Sequence, residues 1–426
     1  MGRDPIDYCM QAQRRFGDVV RLPVGPGSVY LIVHPDDVEQ VLVHQNRNHH
    51  KGRLFKRTDV LFGNGLVLND GDDWHGQRRL MRPVFAPGRL QDLVPLMASA
   101  VDDKLATWAA RPDPSEPLEM GREMMSLTLT VVARTMLSTD LSAADMVALA
   151  GDFNTVLRHL TVRLITFAFP EWTPLPGQRG CRAALRRIDE LVYRMIDQRS
   201  AATQRPVDLL TLLVEARGED GQPLPRSQIR DEVVTTLFGG YEATAHALAW
   251  TWYLLDRHPD VDARFRSEVA EVVQGDEVTA EQLQRLAFTS QIVTEALRLY
   301  PPFWQVFRTS YEASQVGGYA LPPNAPIMLS PYVTHRHPAF WDDPEVFNPD
   351  RFGNGRAQPH PPVYFPFGAG QRICVGRHLA LLEMQLILAL VARRHRLSLR
   401  SGHQVELQAH STVRAKGGMP MVLTDA

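Results

Sequence analysis

The stretch that decides the fold is YFPFGAGQRICVGRHLALLEM, residues Tyr364–Met384. Glycines flank its cysteine, Cys374, so the backbone can turn tightly and bring amide N–H groups close to the sulfur. An amphipathic helix is predicted immediately afterwards, and both a helix N-terminus and the nearby Arg372 stabilise a thiolate. Cys374 is therefore a candidate metal ligand or nucleophile, and the alternative is a small, buried, structural cysteine.

The order of residues around Cys374 is highly specific. FGAGQRICVG, residues 367–376, matches F-x-x-G-x-R-x-C-x-G and resembles the haem-binding signature of the cytochrome P450 family. The resemblance implies haem b (iron protoporphyrin IX) as cofactor, with Cys374 as the axial thiolate that binds the iron and favours O–O cleavage. It also implies that Arg372 pairs with a haem propionate, and it makes Phe367 and Gly368 further cofactor-binding positions.

A second motif resembles the same family. Glu295 and Arg298 lie on one predicted helix face, just before the Pro301-Pro302 stop. Alone, such a pair is usually solvated and of small energetic value. The family, however, has E-x-x-R followed by a downstream arginine, and Arg351 in FNPDRF lies in the matching segment. The resemblance implies that the three side chains form a buried triad that supports folding rather than turnover.

Further residues resemble the family's propionate contacts. WHGQR, residues 74–78, is similar to W-x-x-x-R and places Trp74 and Arg78 about one helical turn apart. Arg308 follows PPFWQVF, where many family members have another propionate-binding arginine. The resemblance implies that all three contact propionates. The alternative is that Trp74 belongs to the core and the two arginines to the surface.

A long helix, predicted from Gln228 to about Leu255, contains a segment similar to the family's oxygen-activation motif A/G-G-x-D/E-T-T. FGGYEAT, residues 238–244, falls in that place. Each mid-helix glycine costs about 1 kcal/mol relative to alanine. We therefore expect Gly240 and its neighbour to form a local bulge that makes room for dioxygen, with tolerated helix weakness or close packing as alternatives. Glu242 matches the acidic residue that relays protons toward the bound oxygen.

The same motif departs from the family at Ala243, where most members have an alcohol. Thr244 comes next but lies about 100° further around the helix, so it cannot simply replace that hydroxyl. We expect proton delivery through ordered water or a substrate hydroxyl, with Gly240, Glu242 and Thr244 as the catalytic positions. Two alternatives stay open, namely peroxide-driven or poorly coupled oxidation, and an atypical oxidative rearrangement or isomerisation.

The remaining pattern predicts a mainly α fold with a minor β portion, and the resemblance implies a cytochrome P450 fold with its long central helix over the haem. Ser227 is the predicted N-cap of that helix, and no composition shift marks a boundary, so we expect one domain over residues 1–426. Strands are predicted within Asp18–Val33 (a hairpin), Gly317–Ser330 and Leu397–Val422. Other helices are predicted near Pro35–His44, Asp73–Phe85, Arg89–Ala110, Glu119–Leu137, Ala143–Ile165, Arg179–Gln204 and Arg377–Arg394, with a proline-broken loop at Phe167–Gly177.

Composition excludes several classes of protein. The 426 residues are 44% hydrophobic and 22% charged, which is ordinary for a globular protein, and the net charge of -2 does not indicate nucleic-acid binding. The 3 cysteines are too scattered for a disulfide framework. No apolar run approaches the ~20 residues of a membrane span. Because there is no signal-peptide pattern, we expect a soluble, cytoplasmic protein, and its abrupt start leaves a longer natural N-terminus open.

By resemblance, the substrate pocket is rich in aromatic side chains and poor in charge. Such a lining suits a medium-to-large apolar molecule, for example a terpenoid, a polyketide or a fatty-acid-like compound. For each aromatic residue the alternative is plain membership of the core. The expected lining is the Asn48–Asp70 loop, the Phe167–Trp172 region, Phe238, Tyr241, Phe303, Trp304, Phe307, Thr412 and Val413.

The function implied by the resemblance is that of a haem-thiolate monooxygenase, which inserts one oxygen atom from O2 into an apolar substrate. Electrons from NAD(P)H are expected to arrive through a separate ferredoxin and ferredoxin reductase, since too few residues follow the haem signature for a reductase domain. A non-enzymatic haem-binding or ligand-sensing protein is the alternative from another class. Candidates for a basic docking face, with an ordinary solvated surface as the alternative, are Arg79, Arg82, Arg377, Arg393 and Arg394.

Overall fold

The computed structural model describes residues 4–24, 27–52, 58–165, 173, 175–218, 220–275, 277–353 and 363–426. Helices dominate this part of the chain, which confirms the predicted mainly α fold with a minor β portion. The helices are α1 Pro5–Phe16, α2 Pro35–Glu39, α3 Asp59–Phe62, α4 Gly71–Met81, α5 Pro87–Gln91, α6 Val94–Ala109, α7 Met120–Leu137, α8 Ala143–Ile165, α9 Gln178–Ala201, α10 Leu209–Glu215, α11 Arg226–Arg257, α12 Pro259–Val272, α13 Ala280–Arg285, α14 Ala287–Leu299, α15 Pro331–Thr334 and α16 Arg377–Ala392. Shorter turns of other helical types lie at Gln40–His44, Arg82–Phe85, Pro349–Phe352 and Gly370–Arg372.

The strands form small sheets. They are β1 Val19–Val24, β2 Gly27–Ile32, β3 His49–His50, β4 Leu118–Glu119, β5 Val306–Ser310, β6 Ser314–Val316, β7 Tyr319–Leu321, β8 Pro326–Leu329, β9 His395–Leu399, β10 Glu406–Ala409, β11 Val413–Lys416 and β12 Pro420–Asp425. The largest sheet has the order β1-β2-β8-β5-β3, in which β2 and β8 are parallel. In this sheet His49 pairs with Ser310, so the segment after β3 lies beside Arg308 of β5.

Several predicted elements are confirmed, and others differ for identifiable reasons. The hairpin within Asp18–Val33 is present as β1 and β2. Ser227 was wrongly predicted as an N-cap, because α11 already begins at Arg226 with Pro225 as its cap residue. Proline suits a helix start, since it has no N–H to leave unpaired. The predicted loop at Phe167–Gly177 lies largely outside the described residues.

The long helix α11 packs against α7 through Gly240. A Cβ atom at Gly240 would lie 2.7 Å from Cγ2 of Val132, so only glycine allows the two helices to approach this closely. The helix stays α-helical from Arg226 to Arg257. The predicted bulge is therefore wrong, and close packing explains Gly240. At Gly239, by contrast, a Cβ atom would meet no other atom within 4 Å.

Apolar burial connects distant parts of the chain. One cluster of buried side chains includes residues from Ile6 to Met421, and a smaller one joins the large sheet to Phe365. Phe365 lies near the start of the segment that carries Cys374. The large sheet therefore packs against the beginning of that segment. Among the described residues, no helix is both long and apolar enough to cross a membrane.

Candidate active site

The Cys374 loop is shaped by its own backbone. The Cys374 N–H donates a hydrogen bond to the Phe367 carbonyl at 2.9 Å. Gly368 and Gly370 have φ angles of 72° and 67°, in the region that favours glycine. At Gly370 a side chain is also excluded by space, since a Cβ atom would lie 2.2 Å from the Leu42 carbonyl oxygen. The tight glycine turn predicted around the cysteine is confirmed.

Cys374 is an exposed residue, but enough protein lies around its thiol to disfavour the charged form. Burial raises the pKa of Cys374, whereas the Gly376 N–H, Arg78 and Arg377 act in the opposite direction. The electropositive turn therefore offsets only part of the cost of holding a thiolate inside the protein. A metal cation at the sulfur would complete the compensation, because a coordinating thiol is deprotonated. An accessible sulfur with cationic neighbours is a suitable donor for haem iron.

Two of the predicted propionate contacts meet at a third, the ring of Trp74. The guanidinium carbon of Arg372 lies 4.5 Å from the ring centroid, and that of Arg78 lies 5.8 Å away. Trp74 itself is buried, with 5% of its surface exposed. Arg372 also pairs with the Asp70 carboxylate and donates to the Asn69 carbonyl at 2.9 Å. The arginines are thus held at an aromatic face near Cys374, and Asp70 is a partner that the motifs did not indicate.

Arg308 adds a further cation beside this group. Burial lowers the pKa of Arg308 to about 10, and the charge of Arg372 acts in the same direction. Burial likewise lowers the pKa of Lys51 to about 7, with both arginines contributing. The negative charge of Asp70 acts against both shifts. Cations gathered away from water repel one another, so additional anions would be stabilised there.

A cavity borders these cations. It measures about 250 Å³, and its lining includes Trp74, Arg308, Arg372, Asp70, His50 and Tyr311. His50 stacks on Tyr311 with ring centroids 3.8 Å apart, which closes one side with an aromatic pair. The two propionates of a haem are anions of the kind that this cationic wall would bind. The chemistry of the site therefore fits the group that the Cys374 loop predicts.

The predicted triad is formed by direct contacts. Arg298 donates to both oxygens of Glu295, at 2.7 and 2.8 Å, and both side chains are fully buried. Arg351 Nε approaches Glu295 Oε1 at 3.3 Å. The Asn348 N–H donates to the same oxygen at 2.9 Å. The sequence interpretation of a buried triad is confirmed, and the surface-pair alternative is wrong.

His335 connects this triad to the cysteine segment. Its Nε2 accepts a hydrogen bond from the Phe365 N–H at 2.9 Å, so Nδ1 carries the proton and donates to the Arg298 carbonyl at 3.2 Å. The ring is fully buried, and burial holds the pKa of His335 well below its usual range. The neutral tautomer is therefore maintained. No motif pointed to His335, although it lies in the segment THRHP.

Glu242 lies in a buried polar network. Its Oε1 accepts a hydrogen bond from Thr412 Oγ1 at 2.8 Å and pairs with the Arg414 guanidinium. Its Oε2 is buried and has no hydrogen-bond partner in the described part of the chain. Thr244, the other predicted catalytic side chain, is buried on the same helix. Neither Thr412 nor Arg414 was predicted as a partner of Glu242.

Aromatic side chains from three helices form one wall near the predicted pocket. Phe238 lies 5.1 Å from Phe62 and 5.7 Å from Phe153 between ring centroids, and Phe153 stacks on Tyr241 at 5.6 Å. Such edge and stacked contacts stabilise an apolar surface beyond simple burial. Phe62 belongs to the predicted Asn48–Asp70 segment, and Phe153 extends the predicted lining. The Phe167–Trp172 part of that lining lies outside the described residues.

The segment between α3 and α4 is tied to α11 by carboxylates. Asp231 Oδ2 accepts a hydrogen bond from the Asn64 N–H at 2.8 Å, and Glu232 Oε2 accepts one from the Leu66 N–H at 3.1 Å. Burial raises the pKa of Glu232 to about 7, with a smaller contribution of the same sign from Asp231. Part of the predicted pocket loop is thus fixed to the long helix through a titratable group.

From the raised pKa of Glu232 we predict that the free energy of unfolding depends on pH. As pH rises above 4.5, Glu232 ionises in the unfolded chain first, so folded stability declines until its folded pKa of about 7 is passed. Glu232→Gln does not titrate and keeps an acceptor for Leu66. We expect this variant to gain up to ~3 kcal/mol relative to the wild type between pH 5 and pH 8. Urea unfolding across that range measures the difference, and a constant offset would contradict the prediction.

The arginines predicted to form a basic docking face differ in their exposure and in their pairing with other groups. Arg79 and Arg82 are exposed. Arg394 pairs with Asp102 at 2.9 Å, and Arg393 donates to the Gly275 carbonyl at 2.7 Å. Surface pairs of this kind are weak, but they reduce the positive potential that Arg394 offers a partner.

The fold and this site together define a class of protein, the haem-thiolate enzymes. The family model described as Cytochrome P450 matches residues 2–420, and the chain belongs to the cytochrome P450 family. Members use haem and dioxygen, with reducing equivalents from NAD(P)H that redox partners deliver, and they bind apolar substrates. The chain is accordingly a monooxygenase of the oxidoreductase class.

Three of the relatives come from Streptomyces species. The chain is 35% identical to cyclooctatin synthase of Streptomyces melanosporofaciens, over 93% of this chain and 86% of the relative. It is 33% identical to cyclooctat-9-en-7-ol 5-monooxygenase of the same organism, over 93% and 85%. It is 32% identical to pentalenene oxygenase of Streptomyces avermitilis, over 97% and 91%. Among solved structures, the cytochrome P450DA heme domain superposes with a TM-score of 0.89 at 25% identity, covering 100% of this chain and 94% of that domain.

Proposed function

We propose that this protein is a haem-thiolate monooxygenase that hydroxylates or otherwise oxygenates a cyclic terpenoid, and that residues 1–426 form its single haem domain. Cys374 would hold the iron of haem b, with Phe367 and Gly368 shaping the loop around it. Trp74, Arg78, Arg308 and Arg372 would hold the propionates. When bound, the haem would supply the activation of O2 and the transfer of one oxygen atom to the substrate.

The observation that supports the cofactor proposal best is the convergence of cations beside Cys374. Arg78 and Arg372 lie within 5.8 Å and 4.5 Å of one aromatic ring, and the nearby Arg308 has its pKa lowered by burial. Asp70 offsets part of the mutual repulsion of Arg308 and Arg372. Two carboxylates from a cofactor would relieve it.

The chain's own residues would handle the proton and exclude water. Glu242 would pass protons toward the oxygen side, with its unpaired Oε2 as the releasing atom. Ala243 supplies no hydroxyl, so proton delivery needs a donor from elsewhere. The aromatic wall of Phe62, Phe153, Phe238 and Tyr241 would keep the substrate side dry.

A terpenoid substrate is supported from two directions. Phe62 and Phe238, the two least buried members of the aromatic wall, would present an apolar, uncharged surface to the substrate, which suits a polycyclic hydrocarbon. The names of two relatives specify a monooxygenase acting on cyclooctat-9-en-7-ol and an oxygenase acting on pentalenene. For electron supply we propose a ferredoxin and its reductase, with Arg79, Arg82 and Arg377 as the basic side chains that an acidic ferredoxin would contact.

The test uses pentalenene and cyclooctat-9-en-7-ol as probes of the purified haem-loaded protein. We expect at least one probe to change the haem spin state and to be converted to a product one oxygen atom heavier, with ferredoxin, reductase and NADPH all required. Ala243 favours a second candidate, peroxide-driven oxidation. Product formed equally well with hydrogen peroxide alone would support that candidate, and rearrangement without net oxidation would contradict a monooxygenase role.

A further inference from the structure

Ala243 lacks the hydroxyl that most family members have at this position, but another segment of the chain brings a hydroxyl to Glu242. Thr412 lies just before β11 and is completely buried. Its Oγ1 donates to Glu242 Oε1 at 2.8 Å. An acid and an alcohol are therefore paired at this site, although the alcohol comes from the C-terminal hairpin and not from α11. The chain separation of 170 residues hides this pair from any local motif.

The segment that carries Thr412 is anchored on both sides. Trp304 Nε1 donates to the His410 carbonyl at 2.8 Å. The Val413 N–H donates to the Pro302 carbonyl at 2.9 Å, and the Val413 carbonyl accepts from Trp250 Nε1 at 3.2 Å. Trp250 belongs to α11, the helix of Glu242. These bonds fix the hydroxyl relative to the carboxylate, which is the preorganisation that a proton relay needs.

Arg414 sets the direction of the Thr412 hydroxyl. Arg414 Nε donates to Thr412 Oγ1 at 3.3 Å, so the proton of the hydroxyl points toward Glu242. Arg414 also pairs with Glu242 and extends toward Asn154 Oδ1 at 3.4 Å, with 22% of its side chain exposed. A guanidinium cannot give up its proton in a protein, whereas a hydroxyl can accept one proton while donating another.

Other groups near Glu242 are less suited to supply protons. His246 is buried one helical turn along α11, and burial together with the Arg414 charge lowers its pKa to about 3. Burial raises the pKa of Tyr241 far above its usual range, with Glu242 contributing. Both groups stay neutral at physiological pH. His410, whose pKa burial lowers, faces the same network from the solvent side.

We propose that Thr412 is a positioning residue that supplies the relay hydroxyl absent at Ala243. In each transfer the Thr412 hydroxyl passes its proton to Glu242 Oε1 and accepts one from a water molecule that enters beside Arg414. Rotation of the protonated Glu242 carboxyl group then carries this proton to the side of Oε2, from which it leaves toward the active site. One proton enters for each that leaves, and both Thr412 and Glu242 return to their initial states. This inference rests on the proposed function, because the relay matters only if oxygen is reduced at the site.

The test compares variants that differ only in the hydroxyl. Thr412→Val keeps the shape and removes the hydroxyl, and Thr412→Ser keeps the hydroxyl. Thr251→Val is the matched control, because Thr251 is fully buried in α11 and bonds only its own helix, at the Ala247 carbonyl. The haem-loaded proteins receive ferredoxin, reductase and NADPH with pentalenene as probe, and hydrogen peroxide released per NADPH consumed is measured in H2O and in D2O.

Thr412→Val should lower productive proton transfer by roughly 10- to 100-fold, so that a larger share of the consumed NADPH appears as hydrogen peroxide and the solvent isotope effect changes. Thr412→Ser and Thr251→Val should match the wild type. A second readout needs no turnover, namely the infrared carboxylate bands assigned to Glu242 by subtracting the Glu242→Gln spectrum. These bands should shift in Thr412→Val and return in Thr412→Ser.

Each contrary result has a distinct meaning. A wild type that consumes no NADPH with the redox pair contradicts the proposed function, and this inference fails with it. A wild type that turns over while Thr412→Val releases no extra peroxide contradicts the relay alone. Shifted infrared bands with unchanged peroxide release would show that Thr412 only packs against Glu242, which also overturns the proposal.

Discussion

Glu295→Ala should lower the apparent free energy of unfolding by about 3–5 kcal/mol, because it leaves Arg298 as an unpaired charge in the core. Both side chains have no exposed surface, and two hydrogen bonds of 2.7 and 2.8 Å join them. The substitution also removes the acceptor for the Asn348 N–H and for Arg351. Urea unfolding followed by circular dichroism measures the loss.

A surface pair provides the control for this prediction. Glu406 pairs with Lys416 at 2.6 Å, but 65% and 60% of the two side chains are exposed. Glu406→Ala should therefore leave the unfolding midpoint unchanged within error. Should Glu295→Ala yield no folded protein, Glu295→Gln preserves the shape and one acceptor and should lose less. Equal midpoints for Glu295→Ala and Glu406→Ala would contradict the account.

Substitution of Glu295 should also weaken the support of the Cys374 loop, because His335 connects the two. Arg298 donates to the His335 carbonyl at 2.9 Å, and the His335 ring holds the Phe365 N–H. Loss of Arg298 positioning would loosen this connection before the whole fold is lost. We therefore expect haem release at lower urea concentration than global unfolding in Glu295→Gln, while the two transitions stay closer together in the wild type.

Sequence alone predicted the parts of the site that depend on short spacings. The Cys374 turn requires glycine at fixed positions, and the Glu295–Arg298 pair requires a spacing of one helix turn. Both features can therefore be recognised from a short stretch of sequence. Composition and periodicity likewise located most helices. The start of α1 at Asp4-Pro5 was not predicted, although it has a local signal, since Asp4 caps the helix by accepting the Ile6 N–H at 2.9 Å.

Contacts made by tertiary structure could not be predicted in this way. Asp70 meets Arg372 across 302 residues, and Thr412 meets Glu242 across 170. Motifs singled out Arg372 and Glu242, but nothing in the local sequence of Asp70 or Thr412 identifies them as the partners of these two residues. The prediction for Gly240 was wrong for a related reason. A glycine in a known motif suggested a bulge, whereas in the structure Gly240 allows α11 to pack closely against Val132.

Cys374→Ser should abolish oxygen transfer. In the proposed function the Cys374 thiolate pushes electron density onto haem iron, and a serine hydroxyl at the same place is a far poorer ligand and is not deprotonated near neutral pH. The loop itself should persist, since the hydrogen bond from the residue 374 N–H to the Phe367 carbonyl does not involve the side chain. Circular dichroism of the variant should therefore match that of the wild type while product formation falls below detection.

The central claim, that Cys374 is the haem ligand, is tested most directly by the absorption spectrum of the reduced carbon-monoxide complex. The account predicts that the wild-type Soret band lies at the strongly red-shifted position of thiolate-ligated haem and that Cys374→Ser loses this band. A wild type without the red shift, or a red-shifted band that persists in Cys374→Ser, would contradict it.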